Sequence, residues 1–347
     1  KSQGKHVDFV KVDDLGEWRL AGAADHSVLP ASAITSGDWA FLAGKGAGLL
    51  DRLNKITPKL EDVTNRIFQG IKTSADKIYI IEERDRKKNR VLVYSPEKDA
   101  EFWLEPDLLH PLVKGGDSKA YSLTRTERLI LFPYAPQGGG ANKLISEDVF
   151  KSRYPLTWEY LKVNKSYLED REKGKMRGPL WYAYGRSQAL DVMSLPKIFT
   201  PDIAPRAAFS LDPSGEAFFT GGAAGGYGIL VRPQYSREYV LGLLNSRLLD
   251  WQIKQTATQF RGGWYSFEAR FIRSLPIVVA EDRAHHDRMV SLVDTMLSLH
   301  KQLAAANTPH EQESLKRQID ATDQQIDKLV YELYGLTDEE IKIVEGE

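Results

Sequence analysis

The residues with the types and spacing for chemistry fall into separate groups along this 347-residue chain. Pro106-Asp107, followed by Asp117-Ser118-Lys119, has the Pro-Asp…Asp-x-Lys arrangement in which two carboxylates hold magnesium and a lysine helps to activate water. That chemistry would make the chain a magnesium-dependent nuclease using Asp107, Asp117 and Lys119. Against it, Gly115-Gly116 directly before Asp117 predicts a turn where the motif needs a strand. A second group lies in Arg66–Ile81, where Gly70, Lys72, Thr73, Ser74, Asp76 and Lys77 separate the apolar runs Ile67-Phe68 and Ile78–Ile81. The pattern predicts strand, loop and strand, with a donor-rich loop able to grip an anion or read a base edge. An ordinary hairpin with a solvated turn has the same pattern. A third group combines aromatics with arginine: Trp181-Tyr182-Ala183-Tyr184-Gly185-Arg186, then Gln259, Arg261, Gly262, Gly263 and Trp264. Such groups stack on nucleic acid or pack a protein interface.

Other chemistries are excluded or weak. Cysteine is absent, which removes disulfides and thiolate metal sites and favours an intracellular, cytoplasmic location. The histidines are scattered, and the adjacent His285 and His286 diverge on a helix. No Gly-x-Ser-x-Gly elbow or Gly-Lys-Ser/Thr phosphate loop occurs. Gly44-Lys45-Gly46-Ala47-Gly48 lacks the surrounding βαβ unit that a dinucleotide site needs. No apolar run is long enough to span a membrane, and no signal peptide opens the chain. The net charge is −1, unevenly spread: Glu311–Glu347 holds eleven acidic and four basic residues, a balance of −7, which leaves +6 on the rest. A basic body with an acidic arm is compatible with binding DNA.

The elements that must position these groups predict an α+β fold, a mixed strand-rich domain followed by an antiparallel helical hairpin. Residues 1–62 read as a connector, starting at Lys1 as though a domain preceded it, and including Asp38-Trp39-Ala40-Phe41-Leu42. Residues 63–280 read as the strand-rich domain. Ile78–Ile81 and Val91–Tyr94 predict a hairpin whose tip, Arg84–Arg90, is basic at five of seven positions. A solvated loop explains that tip unless it lies along a phosphate backbone. Gly138-Gly139-Gly140 predicts a flexible loop. Ser146 suits an N-cap, and Pro155 starts a helix carrying Leu156, Tyr160, Leu161, Val163, Tyr167 and Leu168. Strands follow around Lys197–Thr200, Ala207–Leu211, Ala217–Thr220 and Ile229–Val231, with a mobile glycine segment over 221–228, then a helix from Tyr235 to Trp251 capped by Ser236. Residues 281–347 read as the hairpin and acidic tail. Met289, Leu292, Met296, Leu299 and Leu303, then Leu315, Ile319, Thr322, Ile326, Leu329 and Leu333, keep a three-four spacing broken at Pro309 and stopped by Gly335.

Taken in order, several segments resemble the TaqI-like C-terminal specificity domain, the target recognition domain of adenine-N6 DNA methyltransferases and of fused type II restriction-modification enzymes. They are Ile67–Thr73 with Asp76–Ile80, His110–Asp117, Tyr154–Leu161, Leu168–Arg171, Trp181-Tyr182, Pro196–Ile198, Phe209–Asp212, Leu243–Leu248 and Leu275–Ile277. Ile326–Thr337 with Glu340-Ile341 also looks like the tail of such proteins. The catalytic signature Asn/Asp-Pro-Pro-Tyr/Phe does not occur. The resemblance therefore implies a non-catalytic specificity fragment that binds double-stranded DNA, holds no cofactor itself, and works with an upstream methyltransferase domain of the same polypeptide carrying S-adenosylmethionine. On this reading Lys72, Lys114, Lys197 and Arg261 contact phosphates, while Thr73, Arg186, Gln259 and Trp264 reach base edges. Gly70 makes the tight turn that brings Lys72 and Thr73 to the DNA, so Gly70→Val would disrupt binding without unfolding the core. The competing reading is a protein-interaction module that assembles through the helical hairpin.

Overall fold

The computed structural model describes residues 6–12, 14–22, 24–30, 46–137, 141–280 and 282–346. Asp38–Leu42, Gly44-Lys45 and Gly138-Gly139-Gly140 lie outside the described residues. The fold is α+β, built from two main sheets and two cores. A small antiparallel sheet has the order Ser210–Asp212, Lys197–Pro201, Gly226–Val231, Thr64–Gln69. Side chains alternate faces along a strand. Ile198, Ile229 and Ile67 stand in register on one face, and Phe199, Gly228 and Phe68 on the other. The isoleucine face joins a core with Val240, Leu244 and Phe209, while the phenylalanine face joins a core with Ile78, Val113 and Phe219. The sheet is thus a wall shared by both cores, which is why Lys197–Pro201 is buried throughout instead of alternating. Gly228 belongs in that wall because a Cβ there would collide with the Phe68 ring.

The large sheet has the order Phe218–Phe219, Leu109–Val113, Arg128–Leu131, Ile80–Lys87, Arg90–Ser95, Ala100–Leu104. Phe218–Phe219 runs parallel to its neighbour and every other pairing is antiparallel. The expected hairpin with a charged tip is present, with Lys87 opposite Arg90. Arg66–Ile81 is not the hairpin its sequence predicts. Thr64–Gln69 lies in the small sheet, Asp76–Tyr79 is a helical turn, and Ile80–Lys87 belongs to the large sheet. The Thr73 hydroxyl accepts from the Ala75 N–H at 2.9 Å and donates to Asp76 at 2.5 Å, a local bond set that favours a turn over the β-type residues after it. The helix expected across 155–168 is broken at the buried Asn164 into Pro155–Val163 and Lys165–Gly174.

In the second core, the helix expected over 235–251 is likewise divided, at Ser246, into Arg237–Asn245 and Arg247–Thr256. The antiparallel pair read from the heptads is present as Arg283–Ala305 and Pro309–Tyr334, the second capped by Thr308 and ended by Gly335 at φ 59°. It is not a free arm. Gly242 packs beneath Met289 and Val293, and the Arg247 N–H donates to Asp327 at 2.8 Å. The helix Gly46–Lys55 places Leu49 and Leu53 in the same core, and Arg52 donates to Glu340 at 2.7 Å and to the Tyr334 carbonyl at 2.8 Å. Residues assigned by sequence to the connector and to the hairpin therefore share one interior. Before them, His6–Lys11 pairs with Asp25–Pro30 around the helix Leu15–Ala21. Among the described residues no helix is long and apolar enough to cross a membrane.

Candidate nucleic-acid interface

Strand register brings Gln69, Pro201 and Gly226 to the same end of the small sheet. The loops leaving that end are stitched to one another by backbone hydrogen bonds. Gly70 N–H donates to Gly226 O at 3.1 Å and Gly221 N–H to Ile71 O at 3.0 Å. Asp202 N–H donates to Gly225 O at 3.2 Å, and Gly115 N–H to Ala224 O at 3.0 Å. On one flank, Arg186 N–H reaches Lys72 O at 3.2 Å and Gly185 N–H reaches Thr73 O at 3.0 Å. On the other, a small hairpin of Gln259–Phe260 with Trp264–Ser266 is joined to the body by the pairing of Ser266 with Ile203. The result is one ridge of loops, in which the glycine segment expected to be mobile is a hydrogen-bonded turn.

The ridge gathers most of the residues singled out in the sequence. Lys72, Lys114, Arg186, Gln259, Arg261 and Trp264 are all exposed on it. Trp264 stands opposite Phe260 across the small hairpin, 45% and 40% exposed, an aromatic pairing that sequence reading did not single out. Gly262 and Gly263, both at positive φ, make the tip beside Arg261. The side chains of Lys72, Lys114 and Arg261 have no ion-pair or hydrogen-bond partner among the described residues, and neither do those of Lys119 and Arg206 nearby.

Several expected contacts are corrected by burial. Lys197 is fully buried, with its ammonium 2.6 Å from Asp212 and 2.7 Å from the Met193 carbonyl. Burial pulls its pKa down while Asp212 pulls it up. It holds the small sheet to the turn that Asp212 caps, and it cannot reach a phosphate from there. Thr73 is fully buried in its local cap and cannot reach a base edge. Gly70 does not have a left-handed backbone; a Cβ there would collide with the Thr220 backbone and lie 2.6 Å from the Phe219 ring. A valine at 70 would push on the core itself, contrary to the sequence-based expectation.

The nuclease arrangement does not assemble. Asp107 lies in the turn Pro106–Leu108 before the five-residue strand Leu109–Val113, and Asp117 lies beyond its other end. A strand of that length holds them roughly 17 Å apart, too far to share one magnesium ion. Asp117 instead accepts from the Lys114 N–H at 2.7 Å and from the Arg128 guanidinium. Among the described residues, no group of three or more histidine, aspartate or glutamate side chains could hold a metal.

The main residue missed by sequence reading is Arg171. Buried, it donates to Leu168 O at 2.8 Å, Thr73 O at 2.8 Å, Trp181 O at 2.6 Å and Ala183 O at 2.9 Å. One guanidinium thus ties the Lys72 loop and the Arg186 loop to a helix end. Its only sequence signal was its place in the Leu168–Arg171 motif. Asp202 is the ridge's buried acid: burial first and then Glu268 raise its pKa, opposed by Lys72.

Residues 147–277 match the model of the TaqI-like C-terminal specificity domain. The matched span includes Arg171, Arg186 and the small hairpin, while Lys72 and Lys114 precede it. Over 369 residues the chain is 26% identical to the type II restriction enzyme and methyltransferase RM.Eco57I of Escherichia coli, an alignment covering 99% of this chain and 36% of that protein. Over 344 residues it is 22% identical to the type II methyltransferase M.PaeR7I of Pseudomonas aeruginosa, covering 94% of this chain and 50% of that one. The chain thus spans half or less of the length of each of these relatives.

Proposed function

We propose that this chain selects the DNA sequence on which an adenine-N6 methyltransferase, alone or fused to an endonuclease, acts. The observation that carries the reading is the ridge of stitched loops with exposed, unpaired cations, to which residues 147–277 of the matched specificity domain contribute Arg206, Arg261 and the small hairpin. Lys72, Lys114, Arg206 and Arg261 would set register on the phosphates of double-stranded DNA. Arg186, Gln259 and Trp264 would face the base edges. Holding the duplex at fixed register is what a methyltransferase domain of the same polypeptide needs in order to extrude and modify one adenine. S-adenosylmethionine would belong to that domain. Here Gly46 and Gly48 lie inside the helix Gly46–Lys55, which does not fit a nucleotide cradle, and no step of methyl transfer is assigned to these residues.

The test is titration of the chain with mixed-sequence duplex at several salt concentrations. Four phosphate contacts predict that log K falls with log salt at a slope of about −3 to −4. No binding at low salt, or binding without a slope, would overturn the proposal.

A further inference from the structure

Beside Lys72, the backbone takes an unusual path. Glu172 and Lys173 are consecutive non-glycine residues in the left-handed region, at φ 52° and 61°, and Gly174 follows at φ 80°. Ser74, at φ 55°, faces them and donates its hydroxyl to Glu172 Oε1 at 3.1 Å. Left-handed backbone costs strain in any residue but glycine. Three strained residues meet at one corner, which Arg171 holds in place from beneath. A structural turn would be better served by glycine at 172. Instead the corner presents a carboxylate on a basic ridge.

Glu172 and Arg186 together present a defined set of groups. Arg186 Nη1 lies 3.4 Å from Glu172 Oε1 and donates to the Gly185 carbonyl at 2.8 Å. Its other guanidinium donors have no partner among the described residues, and its side chain is 56% exposed. Oε1 accepts from Ser74 and lies in ion-pair range of Arg186, while Oε2 has no hydrogen-bond partner among the described residues. Guanine offers two acceptors in the major groove, and its paired cytosine offers one amino donor. Guanidinium donors beside a fixed carboxylate acceptor match that edge. A lone cation would serve a phosphate equally well, but a carboxylate repels phosphate, and its unpartnered oxygen suits a donor on a base edge.

We propose that Glu172 and Arg186 form a specificity-determining pair that reads one G·C base pair, Arg186 on guanine and Glu172 on the cytosine amino group. Ser74 and Arg171 are its positioning residues. This rests on the DNA-recognition reading above and deepens it.

The experiment selects bound duplexes from a pool randomised across the site, using the full chain, and reads the base preference at each position. The wild-type chain is expected to require G·C at one position. Glu172→Gln should relax discrimination there roughly 5- to 150-fold, while affinity for mixed sequence rises because a charge opposing phosphate is lost. Glu172→Gly guards against misfolding: it relieves the positive φ, so the melting temperature should rise while the same preference is lost. Unchanged preferences in both variants, with binding retained, would overturn the pair. A wild-type chain that binds no duplex, or binds without any preference, would overturn the DNA-recognition reading along with it.

Discussion

Two basic surfaces of this chain differ in what their cations are already doing. The tip Arg84–Arg90 is the denser of the two in sequence, yet it is largely satisfied from within. Arg86 makes a forked pair with Glu83 at 2.7 and 2.5 Å, and Arg84 pairs with Glu82 at 2.9 Å. Lys87 and Arg90 lie against the Trp103 ring at 4.8 and 4.4 Å. Only Lys88 lacks such a contact among the described residues. On the loop ridge the cations are far apart in sequence, from Lys72 to Arg261, and all of those named but Arg186 are unpaired in space. Binding a polyanion releases counterions in proportion to the cations free to meet it. What matters is therefore unpaired charge gathered by the fold, and a basic run in sequence is a poor guide to it.

The largest effect expected from breaking this contrast is at Arg171. Arg171→Ala would take a donor from four carbonyls, three of them at buried bonds, and leave the Lys72 and Arg186 loops joined only by the Arg186 and Gly185 N–H bonds. Stability should fall by at least about 3 kcal/mol in urea unfolding, and DNA binding should fall with it. Arg171→Lys keeps the charge but not the fork, and should restore only part of both. Wild-type stability in Arg171→Ala would show that the ridge does not depend on this residue.

A smaller effect separates the two surfaces directly. Lys72→Ala and Arg261→Ala should each reduce the salt slope by about 1 and weaken binding to all sequences alike. Arg84→Ala should leave the slope unchanged. Glu83→Gln sharpens the test by freeing Arg86 where it stands. If location on the ridge is required, this variant binds as the wild type does; if unpaired charge suffices anywhere, its slope steepens. A slope that drops equally for Arg84→Ala and Lys72→Ala would erase the distinction between the surfaces.

The same contrast marks how far the sequence could be read. Heptad spacing found the helical pair, because a repeating apolar seam is a local pattern, and Lys87 opposite Arg90 followed from adjacent strands. The ridge residues Lys72, Lys114, Arg186, Gln259, Arg261 and Trp264 were legible by type and loop position. Lys197 and Thr73 were misread because burial depends on how the chain folds around a residue: Lys197 meets Asp212 only through strand register. What Arg171 and Glu172 do was not legible for a related reason. Their roles come from carbonyls and left-handed backbone that composition does not report, and both sit in what reads as an ordinary charged helix end, Glu169–Arg177.

The smallest effect concerns the acid buried within the ridge. Asp202 faces Glu268 and Lys72, with the Tyr227 hydroxyl nearby, and its pKa is raised by burial and by Glu268 against the pull of Lys72. The protonated form is therefore more populated at mildly acidic pH than in an ordinary aspartate. Protonation removes a negative charge beside Lys72, and DNA phosphates favour that form. Affinity should accordingly rise as pH falls through the raised pKa and level off above it. For one linked proton the slope is bounded at about tenfold per pH unit, and with a partly screened charge it should be well below that bound. Asp202→Asn fixes the neutral state, so its affinity should match the low-pH wild type and stay flat with pH at constant ionic strength. If Asp202→Asn keeps the wild-type pH profile, the titrating group lies elsewhere and this link is overturned.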